Sequence, residues 1–158
     1  MTSRNHRRAL TIAAVVTLLV GCKANVNVRI EPSLQNSTVQ VDLVGVNIPE
    51  QLQFQDLKGY WEPGNGLRRT ARDRGMVYEM KFGAGEPTTQ QQLSKTDKIW
   101  SNWKRNKMEW IYIIADLPAA PVSRLVIPRD SWEDSDPVWV LVQPDRVVFT
   151  APPPKESN

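Results

Sequence analysis

The chain is poor in the residues from which many active sites are built. Its 158 residues include one cysteine, Cys22, and one histidine, His6. A single cysteine rules out a disulfide within the chain, so the fold must be held by packing and hydrogen bonds. Long apolar runs are also missing. The longest such stretch, Ala9–Val20, has twelve residues, whereas a helix crossing a bilayer core needs about 20. Net charge is modest, with 20 basic against 17 acidic residues.

What is present begins at the N-terminus. Arg4, Arg7 and Arg8 precede the apolar stretch with no acid among them, and Gly21-Cys22 follows it. A basic segment, a short apolar segment and small residues before a cut make up a secretory signal. Leu19-Val20-Gly21-Cys22 resembles the lipobox of bacterial lipoproteins. That resemblance implies cleavage before Cys22, acyl chains on its sulfur as lipidation, and a stable anchor, since two or three chains hold where one holds only marginally. In enterobacterial members an aspartate after the cysteine favours inner-membrane retention. Lys23 stands there instead, so the resemblance leans toward the outer membrane, with the domain facing the periplasm.

Removing residues 1–21 changes the exclusions. The remaining 137 residues suit one domain. Three basic residues and no acids leave with the leader, so the processed chain balances 17 against 17. A neutral domain lacks the basic excess of nucleic-acid binders. His6 leaves too, and Cys22 is acylated. No Ser-His-Asp or Cys-His machinery can be built, nor a zinc site of histidine and cysteine. No cofactor or metal is expected, and no catalytic residue is assigned.

The rest of the chain reads as strands, with apolar residues at every second position between turn formers. Val26, Val28 and Ile30 alternate with Asn25, Asn27 and Arg29. Val39, Val41 and Leu43 alternate with Gln40 and Asp42, continuing to Val46. Met76–Phe82 alternates in the same way. Met108–Ala115 is apolar on both faces apart from Glu109, as in the middle of a sandwich. Val122–Ile127 is closed by Pro128. Val138–Val142 and Val147–Phe149 flank Gln143-Pro144-Asp145-Arg146, a turn signal that predicts a C-terminal hairpin. Thr88–Leu93 is polar and suits an edge. Two stretches have helical spacing: Asn47–Tyr60, capped by Asn47, and Ser94–Lys104, with Ile99, Trp100 and Trp103 on one stripe. Trp61–Gly66 is rich in turn formers, and the proline-rich end, 151–158, is expected to be an extended, disordered tail. The fold class expected is all-β: an antiparallel β-sandwich of about seven or eight strands over residues 25–150, with two short helical insertions. A barrel has the same local pattern.

Three groups of side chains are candidate sites. Arg68, Arg69, Arg72 and Arg74 follow the glycine-rich turn, and arginine offers a bidentate fork to anions. They can equally be a solvated face, where exposed ion pairs are worth only about 0–1 kcal/mol. The second group, Ile99–Trp110, interleaves tryptophans with cations. Tryptophan and arginine are frequent interface anchors, although Trp100, Trp103 and Trp110 suit a core under a helix. The third is the acidic stretch Asp130, Glu133, Asp134 and Asp136. Close carboxylates can hold Ca²⁺ or cleave a glycoside, but a solvated loop explains them more simply. The surface singled out for a protein partner is Trp61 with Arg68, Arg69 and Arg72, together with Trp103.

The order of strands and helices behind a lipobox resembles the outer-membrane lipoproteins of type VI secretion systems. The stretches that carry the likeness are Val39–Val46 with Leu52–Leu57, then Trp110–Leu117 and Val138–Phe149; the Gly- and Arg-rich Trp61–Arg74 departs from it. The resemblance implies a small sandwich that holds a larger envelope partner. The reading is therefore a membrane-anchored, non-catalytic binding or scaffolding domain. The alternative is a carboxylate-dependent envelope hydrolase acting on a glycan, using the 130–136 acids with Glu62 or Glu109.

Overall fold

The structure is a computed structural model that describes residues 24–85, 88–120, 122–129, 131 and 136–153. The leader, Cys22, the acids Asp130, Glu133 and Asp134, and residues 154–158 lie outside the described residues. Those described form eight strands and two α-helices. The strands are β1 (Val26–Ile30), β2 (Val39–Val46), β3 (Val77–Phe82), β4 (Gln90–Leu93), β5 (Trp110–Asp116), β6 (Ser123–Pro128), β7 (Val138–Val142) and β8 (Val147–Phe149); the helices are α1 (Gly66–Asp73) and α2 (Ile99–Arg105). Two four-stranded sheets result, ordered β4-β1-β7-β8 and β3-β2-β5-β6. The expected sandwich is thus present, with the polar β4 at an edge and β7–β8 as the hairpin. Inside that hairpin's turn, Gln143 N donates to Arg146 O at 2.8 Å.

One pairing is not antiparallel. β1 runs parallel to β7, with Val26 opposite Val138 and Ile30 opposite Val142. Parallel neighbours need a long connection, and more than a hundred residues of chain separate these two.

The sheets meet through their apolar faces. Val26, Val28, Val140 and Val142 from one oppose Val41, Leu43, Met80, Phe82, Ile111 and Ile113 from the other, all essentially buried. At one end α2 closes the core. Trp103 is fully buried there, its indole N–H donating to Met76 O at 2.9 Å, and Trp100 meets it edge-on at 5.1 Å. Trp103 lies directly over Gly45, where a Cβ would sit 2.5 Å from its ring. The core tryptophan is therefore admitted by the absence of a side chain in β2.

The β3-β2-β5-β6 sheet is covered on its other face as well, and this explains why β5 carries no charge before Asp116. The chain from Asn47 to Arg74 lies over that face. Phe54 packs edge-on against Tyr112 of β5 at 5.6 Å, and Arg124 of β6 donates to the carbonyls of Phe54 and Gln55. The helix expected over Asn47–Tyr60 is replaced by a single 3-10 turn, Ile48–Glu50, and further turns. Asn47 does cap it, forming a capping box with Glu50. Gly59, at φ 70°, takes a left-handed conformation that a helix interior excludes. Phe54, Leu57 and Tyr60 are buried, but Leu52 points outward. The α-helix of this region is instead α1, within the stretch that reads as turn and arginines. It buries only Ala71 fully, so it carries no apolar stripe to betray it. On β5 and β7, Ile114 and Val140 are fully buried, while Trp110 and Leu141 lie at half-buried positions.

Candidate functional site

The chemistry-bearing residues gather on the covered outer face of β2, under α1. Asp42 points to that face and is 0% exposed. Its cross-strand neighbour on β3 is Glu79. Two like charges side by side on a sheet repel, and a buried lone carboxylate is costly. Both problems are met from the insertion. Arg68 of α1 grips Asp42 with two hydrogen bonds, Nε to Oδ2 at 2.8 Å and Nη2 to Oδ1 at 3.3 Å. The hydroxyl of Tyr60 donates to Oδ2 at 3.0 Å. Glu79 draws Arg72 to 2.7 Å and Arg68 to 3.7 Å, charge contacts in which its Oε1 lies off the N–H directions.

Asn65 sets Arg68 in place. Its side-chain oxygen accepts from the Arg68 backbone N–H at 2.9 Å, capping α1, while its amide donates to Gly59 O at 3.0 Å. Such a cap satisfies a helix-end donor that has no partner within the helix. The Arg68 guanidinium then lies 4.5 Å above the Trp61 ring, and Trp61 meets Tyr60 edge-on at 5.2 Å. Arg68 thus has a carboxylate on one side and an aromatic face on the other.

The electrostatics follow the burial. Desolvation pushes the Asp42 carboxyl up from its ordinary value, with Arg68 and Tyr60 opposing it. Burial, then the Asp42 charge, drives the Tyr60 hydroxyl far above the usual tyrosine range. Burial works against the Arg68 charge, yet the hydrogen bond and charge of Asp42 more than offset it, so its pKa rises. This cluster holds a charged Arg68 and a protonated Tyr60. It offers no free base or nucleophile.

Above the cluster opens a shallow groove of about 570 Å³, lined by Trp61, Pro63, Asn65, Arg68, Arg69 and Arg72 among others. Trp61 is half-buried, and Arg69 and Arg72 are exposed. The indole nitrogen of Trp61 is buried with no hydrogen-bond partner. The structure therefore brings together four of the five residues singled out for partner binding. Trp103 is the correction: fully buried beneath α2, it has no surface to offer, because the β2 glycine leaves room for its ring. A second correction concerns charge. The arginines have few acids near them in sequence, but Asp42 and Glu79 neutralise Arg68 and Arg72 from across the sheet, and Arg69 alone of these three makes no ion pair among the described residues. Asp42 and Tyr60 were missed. The only signal was that the phase of β2 that carries Asp42 turns apolar at Val44 and Val46.

The hydrolase alternative draws on Glu62 or Glu109 besides the 130–136 acids, of which only Asp136 is among the described residues. Glu109, at the start of β5, faces Arg129 at 3.5 Å, and Glu62 lies exposed at the groove. Among the described residues no group of three His, Cys, Asp or Glu is close enough to hold a metal ion.

No family model matches this chain, and no curated protein sequence matches it. Solved structures do share its fold. The type VI membrane complex overlaps it with a TM-score of 0.53 at 12% identity, over 82% of this chain and 98% of that one. Lip of Serratia marcescens, a membrane-bound component of the type VI secretion system, gives 0.51 at 6% identity, over 85% and 100%. The type VI lipoprotein TssJ1 of Pseudomonas aeruginosa gives 0.50 at 11% identity, over 85% and 98%. At such identities the likeness is one of fold, and it agrees with the resemblance read from the strand order.

Proposed function

We propose that this chain is a lipid-anchored, non-catalytic component of a type VI secretion membrane complex, fixed at the outer membrane by acyl chains on Cys22 and holding a protein partner in the periplasm. The observation that carries the reading is the overlap, over nearly their whole length, with solved type VI lipoproteins of a domain that stands behind a lipobox. Two features agree with it. The processed sequence lacks histidine and a free thiol, and the buried cluster spends its carboxylates and arginine on one another.

The partner surface is the groove above that cluster. Trp61 supplies a half-buried ring, Arg69 a cation with no ion pair among the described residues, and Arg72 an exposed cation that Glu79 holds at 2.7 Å. Aromatic and arginine anchors of this kind dominate interface energies. Arg68 belongs to the floor, where it positions Trp61 rather than waiting for a partner.

Affinity purification of the full-length protein from detergent-solubilised membranes tests the reading. Another type VI membrane-complex protein should come down with the wild type and be lost with Arg69→Glu/Arg72→Ala. Recovery of no such protein overturns the assignment; undiminished recovery with the variant overturns only the surface. Cys22→Ser should abolish labelling by a palmitate analogue, and persistent labelling would remove the anchor.

A further inference from the structure

Very little chain separates the anchor from the folded domain. Ala24 is already 0% exposed. Asn25 is fixed on both sides: its carbonyl accepts from Val138 N at 2.9 Å, and its side chain from Lys95 N at 2.8 Å. Only Lys23 lies between Ala24 and Cys22. Consecutive Cα atoms are about 3.8 Å apart, so Cys22 stays within about 8 Å of Ala24. If acyl chains hold Cys22 at the headgroups, this end of the sandwich has no freedom to stand away from the membrane.

That same end is basic. Lys95 leaves β4 beside Asn25 and leads into α2. On α2 the buried residues Ile99, Trp100 and Trp103 turn inward. At 100° per residue, Lys98, Ser101 and Arg105 point the opposite way, with Lys104 on the flank. Lys107 follows at the helix end. All five cations are exposed, and among the described residues none is in an ion pair. Three of the acids nearby have partners of their own. Asp97 accepts from the Ile99 N–H at 2.9 Å, Glu50 pairs with Arg74 and Glu109 with Arg129. Asp136, exposed two residues ahead of Val138, stands at this same end, on the β7 side of β1 and across it from β4. One apolar side chain joins the cations: Ile48 is 65% exposed, and Asn47 beside it donates to Asn106 O at the end of α2. Cations with an exposed apolar residue form the make-up of a surface that lies in the headgroup layer.

We infer that the end of the domain next to Cys22 docks on an anionic phospholipid surface through Lys95, Lys98, Lys104, Arg105 and Lys107. The inference rests on the lipid-anchor reading, and its occupant follows from tether length and charge. Attraction to an anionic leaflet acts within about a Debye length, roughly 8 Å at physiological salt, which matches the reach of the tether. Each basic residue at such a surface strengthens the contact about fivefold. Docked in this way, α2 faces the lipid and the Trp61–Arg69 groove is held at a fixed orientation rather than swinging on a leash.

The test uses the full-length, lipidated protein carrying Ser101→Cys, which provides the one free thiol because Cys22 is acylated. A fluorophore on that thiol is read for quenching by spin-labelled headgroups in vesicles of phosphatidylglycerol and phosphatidylcholine. Asn36→Cys, exposed on the connection beyond the other end of β1, serves as the distant reference. Quenching should be several-fold stronger at residue 101 than at 36, should fall toward the reference in phosphatidylcholine alone or at high salt, and should be lost with Lys98→Glu/Lys104→Glu/Arg105→Glu. High salt tests the wild-type protein, so the result does not depend on the triple variant folding. Equal quenching at the two positions, or quenching insensitive to both lipid charge and salt, overturns the docking. So does protection of residue 101 in native membranes only, which would mean a protein covers α2. Palmitate labelling of the same preparation separates the causes: label without preferential quenching sinks the docking alone, and no label sinks the anchor and the docking together.

Discussion

Both faces of β2 are covered, and around Asp42 they are built oppositely. Val41 and Leu43 turn inward to meet the second sheet, where neighbours are apolar and any close-packed arrangement of the right volume suffices. Asp42 turns outward into an interior made of charges, where one residue out of place leaves a carboxylate unpaired away from water. The inner face gains stability from area, while the outer one depends on geometry. A buried ion pair is weak evidence for net stabilisation, since desolvation can exceed the attraction. Its value here is in placement: the Asp42–Arg68 grip fixes α1, and through it the Trp61 ring and the groove.

That contrast can be broken most severely at Arg68. Arg68→Ala should cost about 3–5 kcal/mol by stranding Asp42, measured by urea denaturation. Replacing both partners, as Asp42→Val/Arg68→Met, should recover most of the loss. If the double variant is as unstable as the single, the outer face works by packing and the comparison fails. On the inner side Gly45→Ala should cost about 1–3 kcal/mol through overpacking, because its new methyl meets the Trp103 ring. The loss should show in near-ultraviolet circular dichroism of the tryptophans as well as in melting.

Tyr60→Phe sharpens the comparison through pH. The folded state holds the Tyr60 hydroxyl above its ordinary value, so it favours the protonated form. Stability from this group is whole below about pH 10, where a tyrosine in the unfolded chain is also protonated, and drains as pH rises beyond that. Tyr78, raised by burial and then by the charge of Asp97, acts in the same direction. The wild type should therefore lose melting temperature above pH 10 more steeply than Tyr60→Phe, and parallel curves would remove the assigned role. At neutral pH the variant should lose about 1.5 kcal/mol for a hydrogen bond to a charged group. Arg69→Glu marks the bottom of the scale. On an exposed and unpaired position it should move stability by no more than about 0.5 kcal/mol, so any loss of partner recovery is a loss of binding.

Much of the architecture was legible in residue order. Period-2 alternation located β1, β2 and β3, two apolar runs about a turn signal located β7 and β8, and the doubly apolar β5 announced a strand covered on both faces. The polar β4 fell at an edge. The insertion was not legible. Asn47–Tyr60 has apolar residues at helical spacing, but the chain satisfies them with turns because Gly59 bends it and the sheet below provides the burial. Conversely α1 has the composition of a surface loop and forms a helix because Asn65 caps it and Arg68 is pulled down onto Asp42. In the site, Trp61 and the arginines could be named from the sequence, whereas Trp103 was misjudged, since only the missing side chain of Gly45 makes room for it in the core.

The sequence by itself determined the likeness of Leu19–Cys22 to a lipobox, the scarcity of histidine and cysteine, and the set of strands. Each rests on composition or on contacts between near neighbours, where the alternation of side chains across a strand reports directly which face is dry. Only the tertiary structure decided that β1 pairs in parallel with β7, that Asp42 is a buried ion rather than a surface one, and that a basic helix shares one end with Ala24. These depend on which distant segments come to lie against each other. A strand's pattern records that a face is covered, but it carries no information about what covers it.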